Sequence, residues 1–454
     1  MVNKIKYRNI FIICTTFLLV FGCSRKKDKF LNKSFHSLTT KYNYLYNGYN
    51  LLDQGLISLD KNEKDNFWEL LPLEKFNTEN LVSQEEIETP FSKAEKKAAL
   101  SIQKHSMNIN GNEKNPNMDR AYLLLAKARY FDKRFLPSLE AFNYILFKYP
   151  SSKYINQAKI WKEKINIRLG NPELAIANLE SILNDNKLED NDLAEAYTSL
   201  AQSYINLKNQ DRAVPYLSAA KSIVKQNSIK ARYNYVLAQL YENIGKRDSA
   251  NILYSENVSY KRKIPRKYLI HSYIRRASNT DSITNSISEL KKLADNIENR
   301  PFLASLHHQL ALLNLRQNKD SIAIKFFNNS LESIADDDYL ETENYKKLAD
   351  INFENKKYLT AGKYYDSTLT NLKSKTKLYR IIKKKRDNLQ DLILYENITA
   401  INDSILDLVK MNQKAREDYF EMYISELKIK EAELIKEEKE NNNFGSQNLF
   451  DQKT

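Results

Sequence analysis

The stretch AEAYTSLAQSYINLKNQDRAVPYL (Ala194 to Leu217) decides how the rest of the chain folds. Tyr197, Leu200, Ala201 and Tyr204 fall at the spacing W-x2-L-G-x2-Y, with an aromatic for Trp and Ala for Gly, and Ala213-x3-Leu217 follows at the spacing A-x3-F. The same arrangement returns along the chain. Tyr345-x2-Leu348-Ala349 precedes Ala361-x3-Tyr365, and His307-x2-Leu310-Ala311 precedes Ala323-x3-Phe327. Leu237-Ala238-x2-Tyr241 precedes Ala250-x3-Tyr254, while Tyr122-x2-Leu125-Ala126 is followed by Phe142 and Pro150. The anchoring leucines at 125, 200, 237, 310 and 348 lie 75, 37, 73 and 38 residues apart, so the unit is about 37 residues long. The two long intervals each hold a degenerate copy, one around Trp161 with Ala175-x3-Leu179 intact, the other around Tyr273.

This is the tetratricopeptide pattern, and it predicts an all-α chain: an α-solenoid of stacked antiparallel helix pairs, followed by long C-terminal helices. The small residue lets the two helices of a pair approach, the large one fills the space between repeats, and each pair buries its apolar stripe only against a neighbour. The repeat tyrosines are therefore core residues, and His307 stands in the aromatic slot of its repeat. His36, His105, His271 and His308 show no ligand spacing. Eight glycines and nine prolines, with no proline after Pro301, undersupply strands and tight turns, which agrees with helices throughout.

At the N-terminus, Lys4, Lys6 and Arg8 precede an apolar run from Ile10 to Phe21. It is shorter than the ~20 apolar residues that span a bilayer and has the form of a secretory signal peptide. It ends in Val20-Phe21-Gly22-Cys23, which resembles the bacterial lipobox, where a small residue before the cysteine admits the peptidase and the thiol receives a diacylglyceryl group. Cleavage there leaves a lipidated Cys23 at the head of 432 residues with a net charge of +11. Each buried CH2 of an acyl chain contributes ~0.8 kcal/mol and one chain is marginal, so two or three chains hold firmly. Ser24 follows, not Asp, which favours the outer membrane, with the protein facing the periplasm. The other cysteine, Cys14, lies in the leader, so the mature chain has no disulfide to form.

The formal net charge of +14 points to anionic surfaces. Its densest run is KRKIPRK (Lys261 to Lys267), with Arg275 and Arg276 following. An exported protein meets little nucleic acid, so the run is read as a solvated face, or one that touches lipid headgroups or an acidic partner, and no nucleic-acid partner is expected.

The chain divides into a lipoprotein signal peptide (1–22), a lipidated basic tether (23–34), an N-terminal helix pair with an insertion (35–110), the repeat solenoid (111–370), long helices (371–440) and a disordered tail (441–454). Phe35, Leu38, Tyr42, Leu45, Tyr49 and Leu52 step by 3, 4, 3, 4 and 3, which places them on one face of a regular helix. Thr39, Asn43, Asn47 and Asn50 lie on another, where Asn43 and Asn47 are candidate partner contacts. The second helix of this pair is AEKKAALSIQKH (Ala94 to His105), and residues 56–90, including FWELLP, form a long insertion. Beyond residue 371 the repeats fade into helices with Leu378, Ile381, Leu389, Leu392, Ile401, Ile405, Leu408, Phe420, Tyr423 and Leu427 as apolar stripes.

The chain carries no G-x-x-x-x-G-K-[ST], G-x-G-x-x-G, G-x-S-x-G or H-E-x-x-H motif. With Cys23 lipidated, no free cysteine remains for a thiol nucleophile or a thiolate metal site, so a non-enzymatic protein without cofactor or metal is expected. Stacked helix pairs form a concave groove for peptides or other proteins. By repeat position its inner face includes Arg120, Lys127, Tyr130, Thr198, Gln202, Arg232, Tyr235 and Gln239, the candidate partner-binding residues.

Five stretches carry a more specific resemblance: CSRKKDKFLNKSFHSLTTKYNYLYNGYN (23–50), NFWELLP (66–72), SIQKHSMNINGNEKNP (101–116), AYLLLAKARYFDKRFLPSLEAFNYILFKYP (121–150) and INQAKIWKEKINIRLGN (155–171). Together they resemble the N-terminal half of the PorW/SprE family, tetratricopeptide lipoproteins of Bacteroidota that serve type IX secretion and, in gliding species, motility. The resemblance is dense from Cys23 to about residue 180 and diffuse to about residue 445. It implies an outer-membrane lipoprotein that links the ring and translocon components of the secretion machine, with Cys23 as the one functional residue carried over. Family members continue past NFGS (Asn443 to Ser446) into a second half, whereas this chain stops eight residues later, as a short member, split gene or truncated copy would. The alternatives are a nutrient-binding lipoprotein resembling the SusD group, against which two Trp and eight Gly argue, and a generic tetratricopeptide adaptor.

Overall fold

The computed structural model describes residues 24–76, 88–185, 188–334 and 337–447. The signal peptide, Cys23 and residues 448–454 lie outside these, as do insertion residues 77–87. Helix α1 (Phe30–Thr39) passes through a π-helical turn (Thr40–Leu45) into α2 (Tyr46–Asn62), which packs on α3 (Pro90–His105). A small antiparallel hairpin, β1 (Asn108–Ile109) with β2 (Asn112–Glu113), follows. Helix pairs then succeed one another: α4 (Met118–Phe131) with α5 (Phe135–Lys148), α6 (Ile155–Arg168) with α7 (Pro172–Asp185), and α8 (Asp190–Asn206) with α9 (Gln210–Ile223). They continue as α10 (Asn227–Asn243) with α11 (Arg247–Tyr260) and α12 (Arg266–Asn279) with α13 (Ile283–Ala294). Helices α14 (Leu303–Leu315), α15 (Asp320–Ser333), α16 (Asp338–Glu354) and α17 (Tyr358–Thr370) precede α18 (Lys377–Asn388), α19 (Gln390–Lys410) and α20 (Gln413–Gln447). The chain is an all-α tetratricopeptide solenoid. It forms two compact units, up to Gln309 and from Leu310, with the boundary inside α14.

The repeat shows in the backbone as well as in the core. Lys133, Gly170, Lys208, Gly245, Asn318 and Lys356 all have positive φ, between 56° and 85°, and each ends the first helix of a pair. In each case the next residue's N–H reaches back five residues, as in Arg134 to Arg129 O (2.9 Å), Asn209 to Tyr204 O (2.9 Å) and Lys357 to Asn352 O (2.9 Å), which satisfies a carbonyl the helix end would leave open. The positions are 37 or 38 residues apart except across the pair α12/α13, whose turn runs instead through extended Thr280. That pair is one of the two degenerate copies. Ala126, Ala201, Ala238, Ala311 and Ala349 are all fully buried, and the opposite helices bring in Phe142, Leu217, Tyr254, Phe327 and Tyr365, also buried. A fully buried side chain of this size contributes roughly 1.5–3 kcal/mol, and here each does so against the next repeat.

The N-terminal helix departs from the regular 3.6-residue expectation. The π turn inserts one residue, so the inward face runs Asn32, His36, Thr40, Leu45, Gly48, Leu52 and Gly55. Phe35, Leu38 and Tyr42 consequently point outward, while Leu45 and Leu52 remain in the core. Where α2 crosses α3 and α4 there is no room for a side chain: a Cβ on Gly48 would come to 2.5 Å from Leu124 Cδ2, and one on Gly55 would enter the Phe91 ring. Gly48→Ala should therefore lower the unfolding free energy by about 1–3 kcal/mol, measured by urea denaturation, whereas Asn47→Ala, on the exposed side of the same turn, should change it by less than about 0.5 kcal/mol.

Candidate functional site

Residues 64–76 of the insertion, KDNFWELLPLEKF, have a proline and too few residues for a stable helix, yet hold six large apolar side chains. They pack them, three of them buried, into the groove formed by the first helices of the pairs. The segment runs from α12 back towards α4, opposite to the order of the repeats. Phe67, Leu71 and Leu73 are buried. Phe67 stacks on His271 with ring centroids 4.0 Å apart and meets Tyr235 and Tyr268 edge-on. Trp68 meets His308 edge-on at 4.9 Å.

The groove holds the segment mainly by its backbone. Gln239 accepts from Leu71 N (3.0 Å) through Oε1 and donates to Glu69 O (2.6 Å) through Nε2, while Gln202 Oε1 accepts from Leu73 N (3.3 Å). Tyr235 Oη donates to Phe67 O (3.0 Å). Arg232 donates to Pro72 O from Nε (2.9 Å) and Nη2 (2.7 Å), and its Nη1 reaches Asp65 Oδ1 (2.9 Å) and Tyr268 Oη (2.7 Å). Asp65 is also approached by Lys267 at 3.2 Å and Lys75 at 3.6 Å. At the far end Glu74 accepts from Lys164 Nζ (2.7 Å), Tyr130 Oη (2.7 Å) and Arg168 Nη2 (3.1 Å). Burial alone would raise the Glu74 carboxyl, but Lys164 and Arg168 hold it below the usual carboxylate range. Burial likewise opposes the Lys164 ammonium, which Glu195 and Glu74 nevertheless hold above its ordinary value.

The sequence-derived groove residues thus separate. Gln202, Arg232, Tyr235, Gln239 and Tyr130 all bind the chain's own insertion. Lys127 lies over Trp161 at 4.5 Å, and burial pushes its ammonium down to about 8. Thr198 pairs with Tyr233 Oη at 2.9 Å, and Arg120 lies over the Tyr49 ring at 4.9 Å, away from the insertion. Asn43 and Asn47 are exposed, with Asn47 donating to Asn43 O (2.6 Å). Cys23 lies outside the described residues. A cavity of about 570 Å3 remains beside the insertion, lined by Leu73, Glu74, Lys127, Trp161, Thr198 and Tyr233 among others. Asp65, Phe67, Leu71, Leu73 and Glu74 were missed as groove residues. Their signal was an apolar run unable to form a helix yet framed by two acids.

Among the described residues no group of three or more His, Cys, Asp and Glu side chains could hold a metal ion. No helix among them is long and apolar enough to cross a membrane. The basic run at 261–276 is largely paired: Arg262 and Arg266 with Glu298, Lys267 with Asp60 and Asp65, Arg275 with Glu242, and Arg276 with Glu289. The expectation of a solvated face therefore holds for Lys261 to Lys263, which are exposed, whereas the cations that follow are met by acids of adjoining elements.

No protein-family model matches the chain, and no curated protein matches it. Among solved structures it is similar to a tetratricopeptide repeat protein from Parabacteroides merdae, at 13% identity over 61% of this chain and 98% of that one, with a TM-score of 0.43. It is also similar to the C-terminal part of a TPR repeat-containing protein from Cytophaga hutchinsonii (14% identity, 64% and 94% of the two chains, TM-score 0.37) and to Pseudomonas aeruginosa pilF (16%, 51% and 99%, TM-score 0.33). The fold assignment rests on the helix pairs themselves. A tetratricopeptide fold supports a general role in protein–protein interaction.

Two outcomes test this geometry. Arg232→Met should lower stability by about 3 kcal/mol, since it takes the nearest of three cations from buried Asp65 and both side-chain donors from Pro72 O, and should open the Phe67–Trp68 region to limited chymotrypsin cleavage; an unchanged digestion pattern would refute the docking. The second concerns pH. Burial lowers His271 to about 3, and burial together with neighbouring His36, 2.8 Å away between Nδ1 atoms, lowers His105 to about 4. Both stay neutral in the fold while the unfolded chain takes up protons below its ordinary value of about 6.5. Stability should therefore be complete above that pH and fall as pH drops towards 4. Thermal midpoints across this range should show a shallower fall in His271→Gln.

Proposed function

We propose that this chain is a non-enzymatic scaffold lipoprotein, held to the outer membrane by acylated Cys23 and facing the periplasm, that supports type IX protein secretion, and gliding motility where present. Under this reading it links ring and translocon components of the secretion machine. What supports it is that the stretches resembling the PorW/SprE family are joined to one another in the fold. Asn115, from the third stretch, donates to Thr40 Oγ1 (2.9 Å) in the first, and Asn117, just beyond the third, donates to Ser37 O (3.1 Å). NFWELLP, the second, meets the fourth and fifth where its following Glu74 joins Tyr130, Lys164 and Arg168. Such interlocking describes one unit, not five separate coincidences of wording.

The occupied groove moves partner contact to other surfaces. On α19 and α20, Tyr395, Ile398, Ile401, Ile405, Val409, Met422 and Ile424 are exposed, a far more apolar surface than a solvated helix presents. The test is crosslinking and affinity recovery of the protein, tagged at its C-terminus and expressed from its own locus, with mass spectrometry of what accompanies it. Ring or translocon components should be recovered, and gene loss should reduce secretion of type IX cargo. Recovery of a nutrient transporter in their place, or normal secretion without the gene, would overturn the assignment.

A further inference from the structure

Helix α1 is built inside out. Together with the π turn that continues it, it buries Asn32, His36 and Thr40 and exposes Phe30, Leu31, Leu38 and Tyr42, which are 81%, 56%, 56% and 57% accessible. Tyr46, just past the π turn, continues the outer row. This rotation is fixed from inside. Asn32 Nδ2 donates to Ser24 O (2.7 Å), Asn115 Nδ2 donates to Thr40 Oγ1 (2.9 Å), and His36 pairs with His105. Turning the apolar side inward would strand each of these buried polar groups. The outer row therefore cannot be relieved by the protein's own packing.

Around that row the charge is of one sign. Arg25, Lys26, Lys27, Lys29 and Lys41 are exposed. The one acid between residues 24 and 46, Asp28, is already paired with Lys33 (2.7 Å) and Lys114 (3.3 Å). Phenylalanine, leucine and tyrosine side chains ringed by long basic ones match the boundary between acyl chains and anionic headgroups: the rings and Leu enter, and the Tyr hydroxyls and lysine heads stay at the polar level. We propose that the outer face of α1 and its π turn lies on an anionic lipid surface. Phe30 follows Cys23 by seven residues, so the helix seats the first unit directly against the bilayer that an acylated Cys23 would enter. The proposal adds to the lipoprotein reading but is tested without the lipid.

The chain from Ser24 to Thr454, which contains every described residue and no acyl group, is sedimented with phosphatidylethanolamine vesicles holding ~30% phosphatidylglycerol. It should partition to the vesicles, more weakly as salt rises, and weakly to phosphatidylcholine alone. Leu38→Ser with Tyr42→Ser should reduce partition by roughly tenfold with an unchanged thermal midpoint, because both side chains are already exposed. A tryptophan placed at Leu38 should shift its emission to the blue on vesicle binding. Partition equal for parent and double variant, or absent from both, would overturn the proposal. So would capture of an envelope protein in detergent by the parent and not by the variant, which would assign the face to a protein. Mass spectrometry of Cys23 acylation reports on the anchor separately, so either idea can fail alone.

Discussion

A tetratricopeptide pair can bury its apolar stripe only against the next pair, and that single constraint leaves the inner faces of the first helices lined with polar groups. Arg232, Gln239 and Gln202 stand there with more hydrogen-bonding groups than their own repeats satisfy, the Gln202 amide donating to Asn206 but keeping its oxygen for another partner. In a groove open to water this is harmless. Once apolar Tyr235, Tyr268 and His271 share the wall, the polar groups need fixed partners, and the insertion provides them with the peptide groups of Glu69, Leu71, Pro72 and Leu73. An extended backbone suits the task because its N–H and C=O groups point sideways at regular intervals.

The consequence is a groove that works first for its own chain. Asp65 and Glu74 place a charge at each end of the segment, each met by two or more cations, so the register of the apolar residues between them is set by electrostatics and their depth by Phe67 and Leu71. Because the segment crosses helices α12 to α4 in reverse order, it ties repeats together that otherwise touch only their neighbours.

The repeat was legible because its determinants are local and periodic: a buried Ala and a large residue every 37 or so positions, each now seen at the interface of a pair. The inner-face residues were legible for the same reason, since position in the repeat determines which way a side chain points. What they bind was not, because Gln239 and Leu71 are 168 residues apart and no short-range pattern connects them. The π turn was hidden differently. Leu45, Tyr49 and Leu52 do extend the stepping of Phe35, Leu38 and Tyr42 on paper, and only the polar contacts of Asn32, His36 and Thr40 reveal that one residue is inserted between the two halves.

Charge makes the same point at the scale of the chain. A net +14 with a dense run at 261–276 directed attention to that run, yet five of its seven cations are met by Glu298, Asp60, Asp65, Glu242 and Glu289. Density along the sequence measures how close cations are to one another, whereas attraction for an outside anion depends on how far they are from acids in space. The N-terminal helix is also basic, Asp28 being the one acid among residues 24–46, and there apolar side chains already face outward. Electrostatic attraction and apolar exposure coincide at that place, a few residues after the Cys23 proposed as the acylated residue.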